Sequence, residues 1–221
     1  GWEGRGTNFY KFFKPLTDAG FRVLAPDFPK HGMTISEGSG LHLNSHSINC
    51  IINYIGGDFY ILAHSLGNST TAVTIYTDSD DVLKHIVGYV GIGIGNKFID
   101  YMMNWANIVG LSNNSVDYYL DGNSEYLGIE VRTFSIGEQL GKMDIPMLLI
   151  HDENDKELPV SQAYEIGKYI RRKKYYVDGK EMPSLYITKG LGHRRIIRDD
   201  GVVKTVVDFI VNTLDDALNK K

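Results

Sequence analysis

A single cysteine, Cys50, excludes an internal disulfide in this 221-residue chain. Neither sign of charge predominates: 23 lysines and arginines stand against 27 aspartates and glutamates, for a net charge of −4 and a pI near 6.0. That balance offers no electrostatic footprint for a nucleic-acid partner. No stretch approaches the roughly 20 consecutive apolar residues of a membrane-crossing helix. No signal peptide is visible, which sets the expectation of a cytoplasmic protein, although the chain opens on Gly1-Trp2-Glu3-Gly4 without a methionine. Repeats, low-complexity tracts and linkers are also missing. What is present, 43% apolar and 23% charged residues, suits one globular domain with a sizeable core. Cys50, among Ile48, Ile51 and Ile52, is expected as a buried thiol. The cluster Arg171, Arg172, Lys173 and Lys174 reads as a solvated helix end, where cations oppose the helix dipole.

Short apolar runs alternate with helical patterns along the chain. A glycine-rich loop at 1–6 leads to a helix with Thr7 or Asn8 as its N-cap, broken or restarted at Pro15 and ended near Gly20. Residues 21–26 read as a strand. Leu41, Ile48, Ile51, Ile52 and Ile55 mark a helix over 41–55, which Gly56 and Gly57 end. Strands follow at 59–63, 85–90, 146–151 and 185–188, with helices over about 66–77, 160–170 and 200–218. This alternation argues for an α/β fold, a mostly parallel sheet with helices on both faces. Between 95 and 142 the alternation lapses into an aromatic- and methionine-rich segment, read as an insertion within a single domain, 1–221.

The stretch most informative about chemistry is 58–72. An apolar run, Phe59 to Ala63, enters Ala63-His64-Ser65-Leu66-Gly67 and then a small, hydroxyl-rich helix. A strand that turns sharply into a helix strains the apex residue and lifts its side chain above the sheet. Small residues two before and two after the apex avoid a clash across that turn. Ser65 holds the apex, with Ala63 where the first glycine usually stands. The pentapeptide also arises by chance, and a serine there would otherwise simply cap the helix.

A serine hydroxyl needs a base, and the base needs a third group to fix its tautomer. Of the histidines after Ser65, His85 opens a strand and suits a structural role, while His151 ends one and could border a site. His193 lies in a glycine-rich loop between the last strand and the last helix. Loops that follow parallel strands gather at one sheet edge, which brings His193 to the edge of Ser65. The acid is expected in the loop 151–159, where Asp152 and Asp155 qualify equally by position. His42 and His46 stand one helical turn apart, as metal ligands would, but no carboxylate accompanies them and surface placement is expected. No metal or cofactor is called for.

Taken together these segments resemble the α/β-hydrolases over nearly the whole chain. Ser65, an acid, then His193 follow the family's order. Gly1-Trp-Glu-Gly-Arg-Gly-Thr-Asn-Phe9 is similar to its His-Gly-x-x-Gly oxyanion loop without the histidine. Residues 20–32 are similar to its Gly-Tyr-x-Val-x-x-x-Asp-x-Pro-Gly-His-Gly segment, and 151–159 to its His-Gly-x-x-Asp-x-x-Val-Pro pattern. Gly192-His193 matches its terminal Gly-His. The resemblance selects Asp155 as the acid, although Asp152, in place of a glycine, could compete for His193.

It implies a serine hydrolase that cleaves a carboxylic ester through an acyl-enzyme, with Ser65, His193 and Asp155 as triad and the N–H groups of Trp2 and Leu66 as oxyanion donors. It also implies an upstream strand and a histidine before Gly1. The insertion, about 95–142, would form a small helical cap. Phe98, Tyr101, Met102, Trp105 and Ile108 lie at spacings of one helix face. That stripe packs the cap onto the domain, and Tyr101, Met102 and Trp105 are candidates to line an apolar acyl pocket as well. A thioesterase or amidase would use the same residues, and a non-catalytic small-molecule-binding member of the fold would retain them. The expected partner is a small ester; oligomeric state is not legible.

Overall fold

The computed structural model describes residues 1, 4–77, 83–170, 175–177 and 180–218, with the main chain alone for Trp105, 175–177, Met182 and 215–218. Its frame is a four-stranded parallel sheet of β1 (Phe59–His64), β2 (Ile86–Ile92), β3 (Met147–Asp152) and β6 (Leu185–Thr188), in that order. A short antiparallel pair that the sequence did not signal, β4 (Tyr175–Val177) with β5 (Lys180–Met182), lies between β3 and β6 in the chain. The central strands are apolar throughout because both faces are covered. Along β3, Met147 and Leu149 enter one core while Leu148 and Ile150 enter the other.

On one face lie α1 (Tyr10–Asp18) and α9 (Asp200–Leu218), which present Phe12, Leu16, Val202, Val206 and Phe209 to Val90, Ile92, Leu148 and Ile150. Across the sheet lie α2 (Leu41–Ile55), α3 (Leu66–Thr77) and α7 (Val160–Ile166). α3 is buried from Asn68 to Ile75, and its threonines stay satisfied by bonding backwards: Thr70 Oγ1 donates to Leu66 O at 3.0 Å and Thr71 Oγ1 to Gly67 O at 2.9 Å. Tyr60 and Gly88 are register partners, and a Cβ at Gly88 would fall 2.2 Å from the Tyr60 ring, so only glycine fits there.

Four expectations fail. Residues 21–26 form no strand and pair with no described strand; Phe21 and Val23 rest against the α1/α9 core while Leu24 stays exposed. Without a neighbouring backbone there is no ladder to make them a strand. Cys50 is exposed, since the inward stripe of α2 is Leu41, Ser45, Ile48 and Ile52, at i, i+4, i+7 and i+11, and Cys50 shares the outer face with His46. Neither Thr7 nor Asn8 caps a helix: both lie in a 3₁₀ turn, Gly6–Phe9, that runs into α1, and Pro15 sits inside α1 without ending it. The cluster at 171–174 lies outside the described residues.

The segment 95–142 holds α4 (Phe98–Ile108), α5 (Asn113–Leu127) and α6 (Ile136–Leu140). Phe98, Met102, Ala106, Val116 and Leu120 join the core that α3 and the sheet share. Ile108, counted in the apolar stripe, is 76% exposed; Ala106 holds the inward position instead. Asn96 ties the two roots of the segment together, its Oδ1 accepting from Ser135 Oγ and Gly137 N at 3.0 and 2.9 Å. Among the described residues no helix is long and apolar enough to cross a membrane.

Candidate active site

The C-terminal ends of β1, β2, β3 and β6 deliver Ser65, Gly93, Asp155 and His193 to one sheet edge, as parallel topology requires. Ser65 stands between β1 and α3 with φ +52°, one of two described non-glycine residues at positive φ. Its N–H is held by Ile92 O at 3.1 Å, so the strained turn is anchored to the neighbouring strand. Across that turn a Cβ at Gly67 would meet Ala63 Cβ at 3.6 Å. The two positions do face one another, with room for one methyl group.

Ser65 Oγ lies 2.8 Å from His193 Nε2, and His193 Nδ1 lies 2.7 Å from Asp155 Oδ2. His193 and Asp155 are buried while Ser65 remains partly accessible. The other carboxylate oxygen, Asp155 Oδ1, accepts from the N–H groups of Glu157 and Leu158 at 2.8 and 2.9 Å. Burial opposes ionisation of Asp155, but His193 and those two N–H groups outweigh it and hold the carboxyl below its ordinary range. An ionised carboxylate only accepts, so Nδ1 carries the His193 proton and Nε2 is free to accept from the Ser65 hydroxyl. Ser65 therefore spends its side chain on His193, not on capping α3.

Asp152 does not compete. Its Oδ2 accepts from Thr188 Oγ1 at 2.8 Å and Leu191 N at 2.9 Å, and its Oδ1 from Asn154 N at 3.0 Å. Burial opposes its ionisation too, and the N–H groups of Gly192 and Leu191 lead the interactions that lower its pKa. Asp152 thus fastens the loop that carries His193. His151 is fully buried behind the acid; its Nε2 donates to Leu158 O at 2.9 Å and lies 3.5 Å from Asp155 Oδ2. Burial pushes His151 below the usual histidine range, so it stays neutral.

Leu66 opens α3, and the N–H groups of a first helical turn have no partner within the helix. The helix dipole adds a partial positive charge at this spot, beside Ser65 Oγ. Trp2, the other expected oxyanion donor, lies outside the described residues, as does the Trp105 side chain. Tyr101 is half-buried, and its hydroxyl accepts from Gly95 N at 2.6 Å; Met102 is 4% exposed within the core. His85 sits at the opposite end of the sheet, 3.8 Å from Asp58. His42 contacts the Tyr126 hydroxyl of α5, while exposed His46 approaches Cys50 Sγ at 3.5 Å. Among the described residues no group of three or more His, Cys, Asp or Glu is arranged to hold a metal ion.

Sequence reasoning missed two residues at the site. His64, the variable position of the pentapeptide, packs its ring 4.9 Å from that of His193, centroid to centroid. Gly93, at φ +55°, lies where a Cβ would stand 3.2 Å from His193 Cε1 and Nδ1 and 3.4 Å from His64 Cδ2. The signal for Gly93 was in the glycine-spaced run after β2; nothing in the sequence marked His64.

No family model and no curated protein sequence matches the chain. Among solved structures, a bromoperoxidase from Bacillus anthracis is 16% identical with a TM-score of 0.66, over 95% of this chain and 89% of that one. An esterase from Exiguobacterium antarcticum is 14% identical with a TM-score of 0.66, over 95% and 89%. A lipase-esterase related protein from Clostridium acetobutylicum is 17% identical with a TM-score of 0.62, over 93% and 90%. Parallel sheet, strand-turn-helix at Ser65 and these likenesses agree: the chain has the α/β-hydrolase fold.

Proposed function

We propose that this chain is a serine hydrolase that cleaves carboxylic esters of small molecules by acyl transfer. One observation carries the reading: the unbroken hydrogen-bond chain from Ser65 Oγ through His193 to an ionised, doubly anchored Asp155. Ser65 Oγ attacks the ester carbonyl as its proton passes to His193 Nε2, and Asp155 stabilises the imidazolium. The oxyanion falls to the Leu66 N–H at the start of α3, a donor of a kind worth about 10²–10³ in rate. The returned proton leaves with the alcohol, and a water activated by His193 releases the acyl group and restores Ser65. These steps use only the chain's own residues and water.

In this reading 95–142 caps the site and its inner face, with Tyr101, Met102 and Trp105 among the candidates, receives an apolar acyl group. The esterase and the lipase-esterase related protein among the solved likenesses favour an ester over an amide or thioester, which the same groups would attack. Strain at Ser65 favours catalysis over simple binding, because a ligand-binding serine needs no positive φ.

The test is a panel of p-nitrophenyl esters of increasing acyl length, with thioester and anilide counterparts, and labelling by an organophosphonate. Wild type is expected to turn over esters and take one adduct at Ser65. Ser65→Ala loses both, and Asp155→Asn falls by about 10⁴ in kcat through the wrong histidine tautomer. Wild-type rates in Ser65→Ala, or no turnover and no adduct in the wild type, would sink the proposal.

A further inference from the structure

We propose that His64 is a positioning residue that braces His193 against the strand carrying the nucleophile; the inference rests on the hydrolase reading above. Its ring is 7% exposed and tilted by 41° to that of His193, and its Nε2 lies 2.8 Å from the His193 main-chain oxygen. A carbonyl only accepts, so His64 Nε2 carries the proton and Nδ1 is bare. Burial, foremost, keeps the ring neutral by pressing its pKa down to about 3.

The need for a brace follows from where His193 sits. It lies in a four-residue helical turn, α8 (Gly192–Arg195), entered through Gly190 and Gly192 at φ +82° and +66°. Glycines at positive φ leave such a loop few side-chain restraints of its own. Asp152 holds it upstream at Leu191, and the Asp155 carboxylate grips the ring at Nδ1. Neither fixes the backbone of His193 relative to Ser65. His64 does, because it is the last residue of β1 and Ser65 is the next: one strand end sets both the hydroxyl and the main-chain atom of its partner. Gly93 supplies the space, since a Cβ there would push on both rings. Losing the brace would let His193 Nε2 drift from Ser65 Oγ, and misplacement by about 1 Å costs as much as 10²-fold in rate.

Two variants of matched length separate bracing from mere packing. His64→Gln keeps an N–H donor within reach of the carbonyl; His64→Met fills similar space without one. Each is compared with wild type for kcat and KM on a neutral p-nitrophenyl ester, for circular dichroism, and for the far-downfield proton resonance of His193 Nδ1–H. His64→Gln should stay near wild type. His64→Met should fold, lose about 10- to 100-fold in kcat with KM within about twofold, and show a broadened, faster-exchanging resonance. A folded His64→Met with wild-type kcat and a sharp resonance overturns the brace, and so does equal loss in the two variants. Should His64→Met not fold, the ring-sized, donor-free His64→Phe takes its place under the same criteria. If wild type hydrolyses nothing, yet the resonance broadens in His64→Met and recovers in His64→Gln, the brace stands and the hydrolase reading falls.

Discussion

Burying a neutral histidine beside the nucleophile has a measurable effect on stability, and His64→Gln isolates it. In the unfolded chain His64 titrates near 6.5, the ordinary histidine value, whereas the folded protein holds its pKa at about 3. Burial leads this shift and the His193 ring adds to it; the His193 carbonyl and Asp155 work the other way. The unfolded state therefore takes up the proton first, and stability falls as the pH falls wherever the unfolded state binds more protons. This penalty is absent well above pH 6.5 and grows steadily until about pH 3. Proton uptake by the unfolded histidine is worth about 0.2 kcal/mol at pH 7 and about 2 kcal/mol at pH 5. Glutamine does not titrate and keeps the hydrogen bond. Relative to wild type, His64→Gln should thus gain about 2 kcal/mol between pH 7 and pH 5. Urea unfolding at both pH values, followed by circular dichroism, reads this as a midpoint shift at constant m. Parallel pH dependence in the two proteins would show that His64 is charged in the fold, and would refute the reasoning.

Two glycines give contrasting tests. With ordinary contact distance to Ala63 and a place in the first turn of α3, Gly67→Ala should be neutral or stabilise by up to about 1 kcal/mol, whereas Gly67→Leu should clash and lower Tm by several degrees. Thermal melts that rank the two variants alike would contradict the elbow packing. Gly93→Ala adds the cost of a left-handed backbone, about 1–2 kcal/mol, to pressure on His64 and His193. It should lose both stability and about tenfold or more in kcat, measured on the same ester as wild type. An unchanged kcat would mean that the rings yield freely.

The periodicities that mark α2 and α9 are local, because a half-buried helix shows its inward face in its own spacing. For that reason 41–55 and 200–218 were legible residue by residue, and the apolar runs of β1 and β3 nearly so. Cys50 shows the limit of composition without phase: apolar neighbours suggest burial, but helix geometry turns the thiol outward. Residues 21–26 show another limit. Their apolar run reads as a strand, yet a strand exists only where a neighbour accepts its hydrogen bonds.

The sequence by itself determined the order of Ser65, an acid and His193 on loops that parallel topology sends to one edge, and the small residues that make a sharp turn possible. Position along the chain left Asp152 and Asp155 equal and the family resemblance chose Asp155; the tertiary structure sends Asp152 to the His193 loop and Asp155 to the His193 ring. It alone gave His64, His151 and Gly93 their places around that ring. The reason is physical. Chain order and local sterics are written in neighbouring residues, whereas a hydrogen bond between positions 128 apart, such as Ser65 to His193, depends on how the whole sheet brings its strand ends together.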